Sequence, residues 1–451
     1  MYYKAIFRVI TLFFLFLSFS NQAQIIEDIV IENNEVTKDW VIVRELLVSK
    51  GDTVSSNLLY RLKRSEENLY NTSLFNEVRI VDTIINSQNV IYVYVAERWY
   101  FWPYPILEYA DRNLATFIHS EEWKRINYGV MIMKHNFRGR KEDLGFKCRL
   151  GFRQQFGLNY YIPMISKNNQ KLGLYFDASL FRQKSFFYDI DSLRYKFHDF
   201  DKYGYRESRF ISGLIYRPEH NITHTLLGTF NRFDINDTIP HVSTPLFGNK
   251  TKSNNWFYVD YNFTYSTLNY IYYPTTGQQL QISVAAGTDF DVNSWKNLLA
   301  NYQIHIPFDY NLTYSSSYFG ESFFDKLPPI GLRKNIGDNY YFRGYEDNVW
   351  KAQSVIGSRQ QLSWNFFKKR NYQIQYIASN KFNKPFLSVY ATMFSDFGYV
   401  YKIKPDNNNM ILWSLGSGID FVSYYDVVVR FEFALNMDKN YSFNIHLGTT
   451  F

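Results

Sequence analysis

The sequence predicts a mainly β protein, a transmembrane antiparallel β-barrel of about 16 strands preceded by one small α+β domain. Three observations carry this. From Arg125 to Phe451 apolar and polar residues alternate in segments of about ten residues, the length a tilted strand needs to cross a bilayer. Aromatics make up 20% of the 451 residues, including 39 Tyr and 41 Phe, and both strands and membrane interfaces favour such residues. The chain also opens with an export signal. Its mean hydropathy is slightly negative. That argues against a bundle of membrane helices but suits a barrel, which turns every second strand residue to a polar lumen.

Met1–Ala23 reads as a secretory signal peptide. Lys4 and Arg8 form its basic start and Ile10–Phe19 its apolar core, ten residues long and so too short to span a membrane. Gln24–Trp99 reads as a separate β-α-α-β-β domain. Ile25, Ile29 and Ile31 mark a first strand. Thr37 is placed to cap a helix carrying Val43, Leu46 and Leu47, which Lys50-Gly51-Asp52 ends. Leu58, Leu62 and Leu69 recur at helical spacing, and Phe75–Val81 and Val90–Val95 read as two further strands. Residues 100–124 are aromatic and proline-bearing and are expected to link this domain to the barrel, with the first strand region inside them.

Arg125–Phe451 reads as the barrel. Tyr441, Phe443, Ile445, Leu447 and Phe451 fall on one face of the last strand, against Ser442, Asn444, His446 and Thr450 on the other. Leu280, Ile282 and Val284 alternate with glutamines and a serine. Val427, Val429, Phe431 and Phe433 alternate with a face holding Arg430 and Glu432. A soluble sandwich would put the apolar face in its core. Charge recurring on the opposite face (Asp420, Arg430, Glu432) instead suits a wet lumen, since unpaired charge in an apolar core is costly. At about twenty residues per strand and loop, the segment yields about 16 strands.

Two stretches stand out: Phe342-Arg343-Gly344-Tyr345, in a long loop before the twelfth strand, and Phe394-Ser395-Asp396-Phe397-Gly398 about fifty residues on. Here the chain resembles the Omp85 (BamA/TamA-like) outer-membrane family, which carries an Arg-Gly-aromatic loop motif and a Phe-x-Asp-x-Gly strand motif. In that family the loop folds into the lumen and its arginine meets the aspartate. Strand parity agrees, because Phe394 and Asp396 share a face with Ser388, Tyr390 and Thr392, leaving Leu387, Val389, Ala391 and Met393 for lipid. Gly344 would allow the tight turn, Tyr345 would supply an aromatic pad, and Glu346 would be a competing partner for the arginine.

Smaller pieces fit the same family. Asn136–Arg140 resembles the turn after the first barrel strand, Pro274-Thr275-Thr276-Gly277 a mid-barrel turn, and Ser414–Gly418 a small-residue strand. Tyr441, Phe443 and Phe451 resemble the C-terminal signal of outer-membrane barrels. Residues 24–99, with Arg44-Glu45-Leu46 and the Leu74–Val78 stretch, resemble one POTRA domain, a periplasmic module that adds client strands to a sheet edge. There is one such domain where the best-studied assembly proteins have several, and Lys368–Lys384 is longer than a usual turn.

The resemblance implies a protein in the outer membrane that assists insertion or translocation of client proteins without nucleotide. Arg125–Met133 and Tyr441–Phe451 would flank an opening seam. Its partners would be the lipid bilayer, unfolded barrel or secreted clients and periplasmic accessory proteins. A passive channel or transporter, or an exporter of one partner or of lipid, is the alternative. No enzyme site is expected. The eight histidines are scattered, His220 and His224 sit beside a turn rather than on a helix, and no Gly-x-Ser-x-Gly stretch or phosphate-cradling loop occurs. No cofactor or metal is expected, and Cys148 reads as a plain strand residue. The net charge of +7 is dispersed, giving no nucleic-acid footprint.

Overall fold

A computed structural model describes residues 24–86, 88–109, 126–191, 194–200, 202–235, 253–289, 293–324, 342–346, 348–350, 352–403 and 408–448. The expected signal peptide, Met1–Ala23, and the terminal Phe451 lie outside the described residues.

The N-terminal domain has the expected order: β1 (Ile26–Glu32), α1 (Asp39–Val43), α2 (Leu58–Tyr70), β2 (Phe75–Ile85) and β3 (Gln88–Glu97). β3 is central, pairing parallel with β1 and antiparallel with β2. Leu58, Leu62 and Leu69 are buried from one face of α2 among Ile26, Phe75, Ile91 and Val93. The first helix is shorter than its pattern suggests. It stops at Val43, and Leu46 is buried beyond its end. Thr37 does not cap it. Its N–H donates to Glu97 Oε1 at 2.7 Å, and its hydroxyl receives Asn136 Nδ2 at 2.8 Å. Long-range bonds have taken the group that local sequence assigns to capping.

The rest is one antiparallel sheet of 16 strands in chain order. It comprises β4 (Phe101–Tyr109), β5 (Ile126–Phe137), β6 (Glu142–Gly151), β7 (Arg153–Ile162), β8 (Leu172–Gln183), β11 (Tyr205–Glu219), β12 (Ile222–Ile235), β13 (Ser253–Ser266), β14 (Gly277–Thr288), β15 (Ser294–Phe308), β16 (Leu312–Phe324), β17 (Ser354–Asn371), β18 (Phe386–Ile403), β19 (Asn408–Ser423), β20 (Val428–Asn436) and β21 (Tyr441–Leu447). β9 (Ser185–Asp191) and β10 (Arg194–Asp199) form a separate hairpin.

The segment 100–124, expected to hold the first strand region, contributes β4, the first strand of the sheet. Ile126–Phe137 is therefore the second strand, and Asn136–Arg140 is the turn after the second rather than the first. The reason is Pro103 and Pro105, which argue against a strand unless it lies at an edge. The long turn expected around Lys368–Lys384 lies between β17, ending at Asn371, and β18, starting at Phe386.

The two faces are inverted relative to a soluble protein. Phe156, Leu158, Phe176, Leu180, Phe210 and Leu214 are exposed outward, while Ser179, Thr229, Asn231, Gln303, Arg359 and Gln361 are buried inward. This is the arrangement of a barrel surrounded by lipid. On β18, Met393 is exposed as expected, whereas Val389 on the same face is buried. No described helix is long and apolar enough to cross a membrane.

The N-terminal domain sits across one mouth of the barrel, on the short turns. Lys38 N–H donates to Gly139 O at 2.9 Å, and Met164 is buried in the domain's core. Glu45 takes Arg217 in a bidentate pair at 2.6 and 2.8 Å. Asp426, between β19 and β20, accepts bonds from Arg98 at 2.6 and 2.9 Å, from Ser73 at 2.7 Å and from Tyr270 at 2.9 Å.

Candidate functional site in the barrel lumen and at its seam

The loop before β17 reaches into the lumen, and Arg343 is 2% exposed there. Its Nη2 and Nε donate to Asp396 Oδ1 at 2.6 and 3.1 Å, and its backbone N–H donates to Asp396 Oδ2 at 3.0 Å. The guanidinium's third corner, Nη1, donates to Gln361 Oε1 at 2.7 Å on β17. Its plane lies 3.8 Å from the centre of the Phe394 ring. The arginine is thus fixed by a charged fork, a neutral acceptor and an aromatic face together. Glu432 stands 3.8 Å away and is itself 3.1 Å from Arg430.

Glycines make room for this packing. A Cβ at Gly398 would come within 2.4 Å of the Phe342 ring, and one at Gly416 within 2.3 Å of the Phe394 ring. Phe394 therefore lies between the small-residue strand behind it and the arginine in front. Gly344 turns the chain at φ +86°, a conformation that favours glycine, and its carbonyl accepts Asn436 Nδ2 at 2.8 Å. Phe342, Tyr345, Trp350 and Val355 pack with Phe319, Val400 and Leu412 into one apolar cluster. Glu346 does not compete for the arginine. Its Oε2 accepts the Gly344 N–H at 2.9 Å, closing the turn locally.

The structure therefore brings together Phe342, Arg343, Gly344, Tyr345, Phe394, Asp396 and Gly398. Tyr441 and Phe443 lie elsewhere, on β21, where both are exposed outward. Sequence reasoning missed Gln361, and it placed Arg430 and Glu432 on the inward face without setting their pair beneath the arginine. Inward parity on β17 and β20 was the only signal for them.

The sheet ends at β4 and β21, and among the described residues these two strands share no ladder. β4 presents an incomplete edge. Tyr100 O accepts His135 N–H at 2.8 Å, so Tyr100 and the residues at even positions after it bond toward β5. The odd positions, Phe101, Pro103, Pro105, Leu107 and Tyr109, then face the seam. Two of those five have no N–H to donate.

A 16-strand barrel with an aromatic-flanked arginine held in its lumen and one small domain at its mouth defines a class of outer-membrane protein. A sequence profile described as the Omp85 superfamily domain matches residues 136–451, and the chain belongs to that superfamily. Two solved structures, both of CdiB, agree on the fold. CdiB from Escherichia coli is 13% identical with a TM-score of 0.55, covering 94% of this chain and 75% of its own. CdiB from Acinetobacter baumannii is 13% identical with a TM-score of 0.53, covering 95% and 74%. BamA from Haemophilus ducreyi lacking POTRA domains 1–3 is 14% identical with a TM-score of 0.47, covering 94% and 83%. No curated protein matches the chain.

Proposed function

We propose that this outer-membrane barrel assists insertion or translocation of client proteins. In this reading the N-terminal domain is a POTRA-like receptor on the periplasmic side. Its edge strand β2 is free on one side among the described residues, with Ile84 exposed near its end. An extended client segment adds there by backbone hydrogen bonding. The client then passes to the barrel seam, which opens toward lipid. The partners are the bilayer, unfolded barrel or secreted clients and periplasmic accessory proteins, and no step requires a catalytic residue, a cofactor or a metal.

The observation that carries this reading is the seam. A closed sheet has no edges, whereas an unpaired edge is a template for another strand. Here β4 and β21 share no ladder among the described residues, and prolines withhold two donors from one of them. The Arg343 loop bonds to β17, β18 and β20, the strands that lead up to β21, so it braces the C-terminal flank of the seam from inside the lumen. A passive channel needs neither a receptor over its mouth nor a loop lodged in its lumen.

Depletion of the protein followed by a census of outer-membrane proteins tests the reading. Broad loss of barrel proteins supports assembly, and loss of one species supports dedicated export. An unchanged protein census would sink both and leave the passive or lipid-handling alternative.

A further inference from the structure

A cavity of about 230 Å³ lies between the N-terminal domain and the barrel mouth. Four cationic side chains line it, Arg44, Arg64, Lys141 and Arg217, against one carboxylate, Glu45. Two of these cations are already matched. Arg217 forks onto Glu45, and Arg64 pairs with Glu67 on its own helix. Arg44 and Lys141 have no ion pair or side-chain hydrogen bond among the described residues. A further carboxylate, Asp143, which acts on Lys141 electrostatically, has His135 at 3.0 Å.

The position of the cavity matters. Ile215, Thr223, Thr264 and Gln279 line it from inward-facing strand positions, and Asn68 lines it from α2. It opens to the lumen and the domain interface, not to the lipid face. Excess positive charge held out of bulk water is costly unless a counter-charge joins it. Burial pushes the Lys141 ammonium down to about 8, with Glu45 only partly offsetting this. The fold keeps both cations here with only Glu45, already forked onto Arg217, as the carboxylate they share.

We propose that this cavity is a binding site for a small oxyanion, with a phosphate group the best match because two cations await one dianion. Its oxygens would receive the Arg44 guanidinium and the Lys141 ammonium. Arg44 precedes the second helix and Lys141 closes the turn between β5 and β6, so the ligand would tie the N-terminal domain to the barrel.

The test is calorimetric titration of the full chain in a phosphate-free detergent, with inorganic phosphate at fixed ionic strength. Saturable one-site binding is expected. It should weaken by about tenfold or more in Lys141→Met and in Arg44→Gln and persist in Lys381→Gln, a lysine on another turn. Glycerol 3-phosphate titrated in parallel separates the sources: tighter binding than inorganic phosphate assigns a headgroup, and equal or weaker binding assigns the free ion. If the variants do not fold, the wild-type melting midpoint is compared in phosphate and in chloride of equal ionic strength. A saturating rise in phosphate alone is expected. Non-saturable binding, binding indifferent to Lys141→Met, or identical midpoints in the two salts would overturn the proposal.

Discussion

Arg343 and Asp396 are 53 residues apart in the chain, yet they meet at 2.6 Å inside the barrel, both almost fully buried. The contact joins a loop to β18 and, through Gln361 and Asn436, to β17 and β20. Removing one member strands the other. Arg343→Ala leaves a buried carboxylate without its cation, a loss of about 3–5 kcal/mol in buried pairs elsewhere. The folded form on semi-native gels should convert at a distinctly lower temperature. Arg343→Lys should recover only part of this, since a lysine cannot fork onto Asp396 and reach Gln361 together.

The glycines beside the motif are as demanding as the charges. Gly398→Val places a branched side chain where the Phe342 ring sits and should cost about 1–3 kcal/mol by overpacking. Combining it with Phe342→Ala should cost less than the sum of the two single changes. Additive melting shifts across the four proteins would contradict the contact.

The edge of β4 makes a prediction in the opposite direction. Pro103→Val with Pro105→Val restores two donors to the seam and favours strand geometry. The double variant should melt higher and function less well in cells, with client levels falling as they do on depletion. Equal function with a raised melting point would separate seam strength from activity.

The fork between Glu45 and Arg217 gives a pH dependence. Burial raises the Glu45 carboxyl, but Arg217 and Lys141 overcome this and hold it down at about 2, below its ordinary 4.5. The folded value is depressed, so the stabilisation is present above about 4.5 and is lost as pH falls from there through about 2. Proteolytic release of the N-terminal domain should therefore increase below about pH 4.5. Glu45→Gln should release it more readily at neutral pH and flatten the acid dependence.

Much of this was legible in the sequence, for identifiable reasons. The period of two in the barrel and the period of the α2 leucines reflect burial on one face, which local pattern records directly. Parity alone placed Asp396 inward, and the family resemblance implied Arg343 as its partner. What stayed hidden depends on distant neighbours. Thr37 bonds to Glu97 and Asn136 in place of the helix it precedes, and Glu45 finds Arg217 at 172 residues' separation. The bounds of β4 within residues 100–124 stayed hidden because its two prolines suit only an edge, and edge position depends on the whole sheet.

The seam carries the account, and cross-linking tests it most directly. One cysteine is placed in Phe101–Tyr109 and one in Tyr441–Leu447, scanned in pairs in a Cys148→Ser chain. The prediction is that a pair oxidised to a disulfide halts client accumulation and that reduction restores it. Undiminished accumulation with the strands fully locked would contradict an opening seam.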